Sequence, residues 1–144
     1  RLIRRQRQMC IRDRKKNTTD DRKKIENLHK MVRLAYTLKE ELLHNNIDAM
    51  GDILHQGWMY KKELAGGISN ELINRYYDLA MQNGASGGKL LGAGGGGFLL
   101  FYVKEENHER VRHALRDLKE LKFKFDNKGT TIIHYNKHSL RGEF

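Results

Sequence analysis

Proline is absent from the 144 residues, and there is one cysteine, Cys10, and one tryptophan, Trp58. Without proline, glycine and asparagine must supply every turn and helix stop. A single cysteine closes no internal disulfide, and no His or second Cys stands at metal-ligand spacing from it, so a reducing compartment fits and no structural metal is expected. The longest apolar run, Phe98 to Val103, falls far short of the roughly 20 residues that cross a bilayer. No basic, apolar and small-residue series resembles a signal peptide. These absences lead to the expectation of a soluble, cytoplasmic protein without a membrane partner, built as one domain around one core.

Positive charge is what the chain has in excess, with a formal net charge of +10. Such a balance ordinarily raises nucleic acid as a partner. Its distribution argues otherwise, because residues 1–16 carry eight Arg or Lys against Asp13 alone, which accounts for +7 of the +10. That opening, RLIRRQRQMCIRDR, has no apolar period, cap or turn chemistry, and its composition predicts a disordered arm. It also resembles the translated read-through of a sequencing adaptor, and residues 1–16 are therefore read as a non-native extension to a domain spanning 17–144.

Beyond the arm, Ile25, Leu28, Val32, Ala35, Leu38 and Leu42 recur at steps of three and four and predict an amphipathic helix with this face inward. Asp20 and Asp21 suit its positive end. After the break at His44-Asn45-Asn46, Ile47, Met50, Ile53, Leu54, Trp58 and Leu64 predict a second helix, antiparallel to the first and ended by Gly66-Gly67. A third begins at Ile68-Ser69-Asn70, with Ser69 or Asn70 as cap; with Ser69 as cap, Ile68 and Ile73 would form a hydrophobic staple. Leu72, Ile73, Tyr76, Leu79 and Ala80 form its expected inner stripe, and Asn83-Gly84 closes it.

The second half reads as a short strand at Gly88 to Leu91, then a buried strand within Gly96 to Val103. A helix follows with Val111, Ala114, Leu115, Leu118 and Leu121 inward. Lys122 to Phe125 alternates, Asp126 to Gly129 supplies a turn, and Thr130 to Tyr135 reads as a last strand. Helices and strands are mixed without strict alternation, so the expected class is α+β, an antiparallel sheet with helices on one face.

The densest signal is Gly84 to Phe98, which holds eight of the fourteen glycines. Such density costs folding entropy, and what it provides is positive φ, close backbone approach and consecutive amides that form a concave anion site. A flexible linker is the plain reading, but Leu90-Leu91 interrupts the segment and it runs directly into an apolar strand. It is no Walker loop, since Lys89 precedes the main cluster and no Ser or Thr follows it, and no dinucleotide fingerprint opens a helix here.

GGKLLGAGGGGFLLFYV resembles the third conserved motif of the GHMP kinases. From about Asn17 to Tyr135 the chain is most similar to the D-glycero-D-manno-heptose 7-phosphate kinases and related sugar kinases, through HQGWMYKKELAGGISN, GASGGKLLGAGGGGF and KFDNKGTTIIHY. Glu71 departs from that pattern, where relatives often carry proline; both suit the first turn of a helix. The resemblance implies a ferredoxin-like GHMP C-terminal domain. It places Gly92, Ala93, Gly94, Gly95, Gly96 and Gly97 in a loop between two strands that shapes the site and supports the phosphate loop of another domain.

His55, Trp58 and Lys62 share a helix face, with Lys61 beside it. A sugar-phosphate site could use His55 as a hydrogen-bonding group, Trp58 as a stacking platform and Lys61 or Lys62 as a phosphate clamp, with Lys89 turned toward it. Core is the first reading for Trp58 and solvent the alternative for the lysines. The remaining histidines show no metal-ligand spacing, and no nucleophile triad can be argued.

The activity the resemblance implies is transfer of the γ-phosphoryl of ATP, or of another nucleoside triphosphate, to the anomeric hydroxyl of a heptose 7-phosphate, with Mg²⁺ offsetting phosphate charge. The family's Pro-x-x-x-Gly-Leu-Gly-Ser-Ser-Ala phosphate loop and the residue that activates the acceptor are not found in this sequence. No catalytic residue is therefore assigned, and the chain alone is expected to be inactive. The rivals are a GHMP kinase for another sugar and a non-catalytic module binding a phosphometabolite or nucleic acid. An RNA-binding sheet would need alternating exposed aromatics, whereas Phe98, Phe101 and Tyr102 sit in a run read as buried.

Overall fold

A computed structural model describes residues 21–92, 95–125, 128, 129 and 131. In order, they form α1 (Arg22–Leu43), α2 (Ala49–Leu64), α3 (Glu71–Gln82), β1 (Ala85–Leu91), β2 (Phe98–Val103), a 3₁₀ turn at Glu105–Asn107 and α4 (His108–Ala114). The architecture is α+β, and β1 and β2 pair as an antiparallel hairpin. The expected last strand, Thr130 to Tyr135, lies mostly outside the described residues, and Lys122 to Phe125 belongs to no strand.

Local chemistry sets the helix limits. Asp21 caps α1, its carboxylate accepting from the amides of Lys23 at 3.0 Å and Lys24 at 3.4 Å. Asn45 at φ 61° turns the chain out of α1. Asn70, rather than Ser69, caps α3 by accepting from the Ile73 amide at 2.9 Å. Ser69 then precedes the cap, and its hydroxyl donates to Asn74 Oδ1 at 2.8 Å where the staple contact would otherwise lie. Gly84 at φ 104° ends α3.

α1 and α2 pack antiparallel: Asn27 donates to Glu63 at 3.0 Å and Lys30 lies 5.5 Å over the Tyr60 ring. Further along, Leu34 comes within 3.9 Å of where a side chain on Gly57 would begin. The face of α1 that meets α2 is not the expected one. Its inward side carries Asn27, 3% exposed, with Met31 and Leu34, while Ile25, Leu28, Val32 and Leu42 face outward. The apolar arc of α1 is wider than one contact can cover, and α2 takes the half that includes the Asn27–Glu63 bond.

The main core joins Trp58 and Leu64 of α2, Ile68, Ile73 and Tyr77 of α3 and its approach, and Leu90 of β1, with Leu99 and Phe101 of β2 packed against it. A second cluster joins Ala80, Ala85 and Val111 with Val103 and Leu115. Both lie on the hairpin face that carries Leu90, Leu99 and Phe101, so the helices share one side. Three expectations change here. In α3 the buried residues are Ile73, Tyr77 and Ala80, with Leu72 exposed, because the helix turns Tyr77 toward β1. β2 is half-buried and Phe98 is 59% exposed, since only one face of the hairpin is covered. α4 ends at Ala114; a turn from Leu115 to Leu118 follows, and Arg112 reaches Glu120 at 3.2 Å, leaving Leu118 and Leu121 exposed.

α2 crosses β1 at glycine on both sides. A Cβ on Gly87 would collide with the Gly51 carbonyl, and one on Gly51 would come within 2.5 Å of Ser86 Cβ. We expect Gly87→Ala to destabilise the domain by about 1–3 kcal/mol or more in urea unfolding, as overpacking against backbone does. Gly66→Ala, where no atom lies within 4 Å, should leave the midpoint nearly unchanged.

Candidate functional site

From its glycine crossing, α2 runs in the same direction as β1. Gly51 meets Ser86 and Gly87, Trp58 packs in one cluster with Leu90, and Lys61 Nζ donates to the Leu90 carbonyl at 3.2 Å. The last turn of α2 therefore arrives at the base of the glycine turn that joins β1 to β2. The α2–α3 connection arrives there too: the Gly95 amide donates to the Ile68 carbonyl at 3.3 Å, and Asn70 Nδ2 donates to the Gly95 carbonyl at 3.4 Å. Asn70 thus caps α3 with one side-chain atom and brackets the glycine turn with the other.

The turn itself is exposed at Gly92, Gly95, Gly96 and Gly97; Ala93 and Gly94 lie outside the described residues. Gly95 has φ 68° and Gly97 φ 130°, and a Cβ on Gly97 would meet the Leu91 carbonyl. Glycine is needed at both. The result is an accessible backbone turn anchored from one side, with a lysine ammonium at its base, an arrangement suited to oxyanions.

The other candidates are distributed along α2. Lys62 is half-buried with Nζ 5.9 Å from the Trp58 ring centroid, and Lys61 Nζ lies at 5.9 Å as well. Trp58 is 1% exposed, so its ring is core and has no free face for stacking a sugar. Its Nε1 has no hydrogen-bond partner among the described residues. His55 lies about 9 Å back along the helix from Lys61, where its Nδ1 is 2.8 Å from the Tyr77 hydroxyl. Lys89 stands opposite Leu100 in the ladder, half-buried and on the face away from Leu90. The structure therefore brings Lys61 to the glycine turn and leaves His55 toward the start of β1.

Two contributors were missed in the sequence. Asn70 was read only as a possible cap. Tyr77, 1% exposed, donates to the Gly88 carbonyl at 3.3 Å and packs its ring 6.1 Å from Trp58 and 5.6 Å from Phe101. The adjacent Tyr76 had matched the helical stripe, and nothing local distinguished the two.

An α+β domain that presents an anchored glycine turn between two antiparallel strands is the class defined by fold and site. The profile described as GHMP kinases C terminal matches residues 38–120, more than half the chain. The D-glycero-alpha-D-manno-heptose 7-phosphate kinase of Campylobacter jejuni is 36% identical over 106 residues, 74% of this chain and 31% of that protein. The bifunctional fucokinase/GDP-fucose pyrophosphorylase of Arabidopsis thaliana is 34% identical over 104 residues, 72% of this chain and 10% of that protein. The chain belongs to the GHMP kinase family, as a C-terminal domain, and spans less than a third of the length of these relatives.

Two measurements probe the brace beneath the turn. Burial pushes the Tyr77 hydroxyl up to about 12 from its ordinary 10.0. The unfolded chain releases that proton first as pH rises, so the stability Tyr77 contributes is complete below pH 10 and declines between about pH 10 and 12. Tyr77→Phe should flatten this part of the stability–pH curve measured by urea unfolding. Asn70→Ala should cost about 1 kcal/mol through the lost cap and should also raise the backbone mobility of Gly95 in amide relaxation, an effect a distant cap loss would not produce.

Proposed function

We propose that this domain shapes the acceptor side of an ATP-dependent sugar kinase whose substrate is D-glycero-D-manno-heptose 7-phosphate, phosphorylated at its anomeric hydroxyl. The observation that carries this reading is the exposed glycine turn anchored to Ile68 and Asn70, with Lys61 at its base. Backbone amides and an ammonium there would hold phosphate oxygens of substrate or nucleotide, which is the positioning and electrostatic work that phosphoryl transfer requires. The identity to the Campylobacter jejuni heptose kinase supports the choice of sugar.

The phosphate loop, the group that activates the acceptor and most of the nucleotide contacts would come from polypeptide beyond this domain. Mg²⁺ would offset phosphate charge in the complete site. Among the described residues no three His, Cys, Asp or Glu side chains form a group that could hold a metal ion. No described helix is long and apolar enough to cross a membrane. On this reading the domain alone transfers no phosphate.

A kinase for another sugar is the second reading, favoured by the nearly equal identity to the fucokinase. The test is phosphoryl transfer from ATP to heptose 7-phosphate and to fucose, by this chain and by a protein extended with the upstream coding sequence. Transfer to heptose 7-phosphate by the extended protein alone is expected. Transfer to fucose alone would replace the substrate, and transfer by the 144-residue chain would overturn the division of labour. In the extended protein, Lys61→Ala should lower kcat/KM about tenfold or more through loss of a charge-assisted bond. Lys62→Ala should have a much smaller effect.

A further inference from the structure

The outer half of α1 is mostly apolar, interrupted by exposed Lys39, and uncovered among the described residues. Ile25, Leu28, Val32, Tyr36, Leu42 and Leu43 line it, with Tyr36 66% and Leu43 70% exposed. A helix exposed along an apolar stripe of this length is a contact surface awaiting a partner. A shallow groove of about 390 Å³ runs along its C-terminal half, lined by Ala35, Leu38, Lys39, Leu42 and Leu43.

The charges beside the stripe indicate what fits it. Arg33 and Glu40 lie on the same rim, two turns apart and exposed, and neither forms an ion pair among the described residues. Two identical helices packed antiparallel bring each rim against the same rim of the other. A twofold axis between Tyr36 and Thr37 then carries Arg33 of one copy onto Glu40 of the other, twice over. In that register Val32 meets Leu42 of the second copy, the Tyr36 rings meet near the axis, and Ile25 reaches Ile47, itself 51% exposed in the α1–α2 loop. A parallel pairing would instead set each rim against the opposite rim of the other copy, so Arg33 and Glu40 would not meet. The helix is about 33 Å long, so the contact belongs at the small end of stable interfaces.

We propose that the 144-residue chain pairs with a second copy of itself through the outer face of α1, antiparallel, with Arg33 and Glu40 as reciprocal partners. Sedimentation equilibrium of the full chain should show a monomer–dimer equilibrium with a dissociation constant in the micromolar range. Val32→Glu with Tyr36→Glu, both exposed and so compatible with folding by circular dichroism, should raise that constant at least about tenfold. Arg33→Glu and Glu40→Arg should each weaken pairing several-fold, and the double variant should restore it. A monomer at all concentrations, as would follow if another segment of the same chain covered the stripe, overturns the proposal. So does a dimer indifferent to the stripe substitutions, or one that the charge swap fails to rescue.

Discussion

The rest of the domain depends on the contact between the backbones of α2 and β1, at Gly51 and Gly87. No side chain can stand between them, because a Cβ on Gly87 would occupy the place of the Gly51 carbonyl. Helix and strand consequently lie closer than side-chain packing allows, and every later residue of α2 inherits that alignment. Trp58 reaches Leu90, Lys61 reaches the carbonyl at the end of β1, and the α2–α3 connection is delivered to the glycine turn. The glycines of β1 and those of the turn thus have different uses: the first admit a helix, and the second allow the chain to reverse with its amides exposed.

Much of this was legible in the residues. The spans of α1 to α3, the Gly84 stop, the hairpin strands and the family followed from periodicity, caps and the text of the glycine segment. What was lost was orientation. On α1, the stripe Ile25, Leu28, Val32 and Leu42 is a sound apolar face, but the helix has apolar residues around more than half its circumference, and period alone cannot choose which half meets α2. The choice falls to Asn27, whose buried amide finds Glu63, a pairing across 36 residues that no local rule anticipates. The same limit applied to α3, where Tyr76 and Tyr77 competed for the core.

The candidate site was legible in part. The glycine turn stood out by density, and its exposure follows from a hairpin whose turn is held by backbone bonds. Of the side chains grouped on one face of α2, a helical wheel could not rank distance along the axis. Lys61 arrives at the turn because it is in the last turn of the helix, whereas His55 falls a turn and a half short and pairs with Tyr77 instead. Trp58, between them, is core, packed in one cluster with Leu90 and Tyr77.

On the proposed reading, a preset glycine turn would suit phosphoryl transfer, where little covalent chemistry is asked of the protein and positioning supplies most of the effect. The central claim is that this turn is held by α2 and α3 before any ligand arrives. Amide hydrogen exchange at Gly95 in the ligand-free chain tests it most directly. The account predicts exchange at least about tenfold slower than for an unstructured glycine, because that amide is bonded to Ile68. Exchange at the unstructured rate would contradict it.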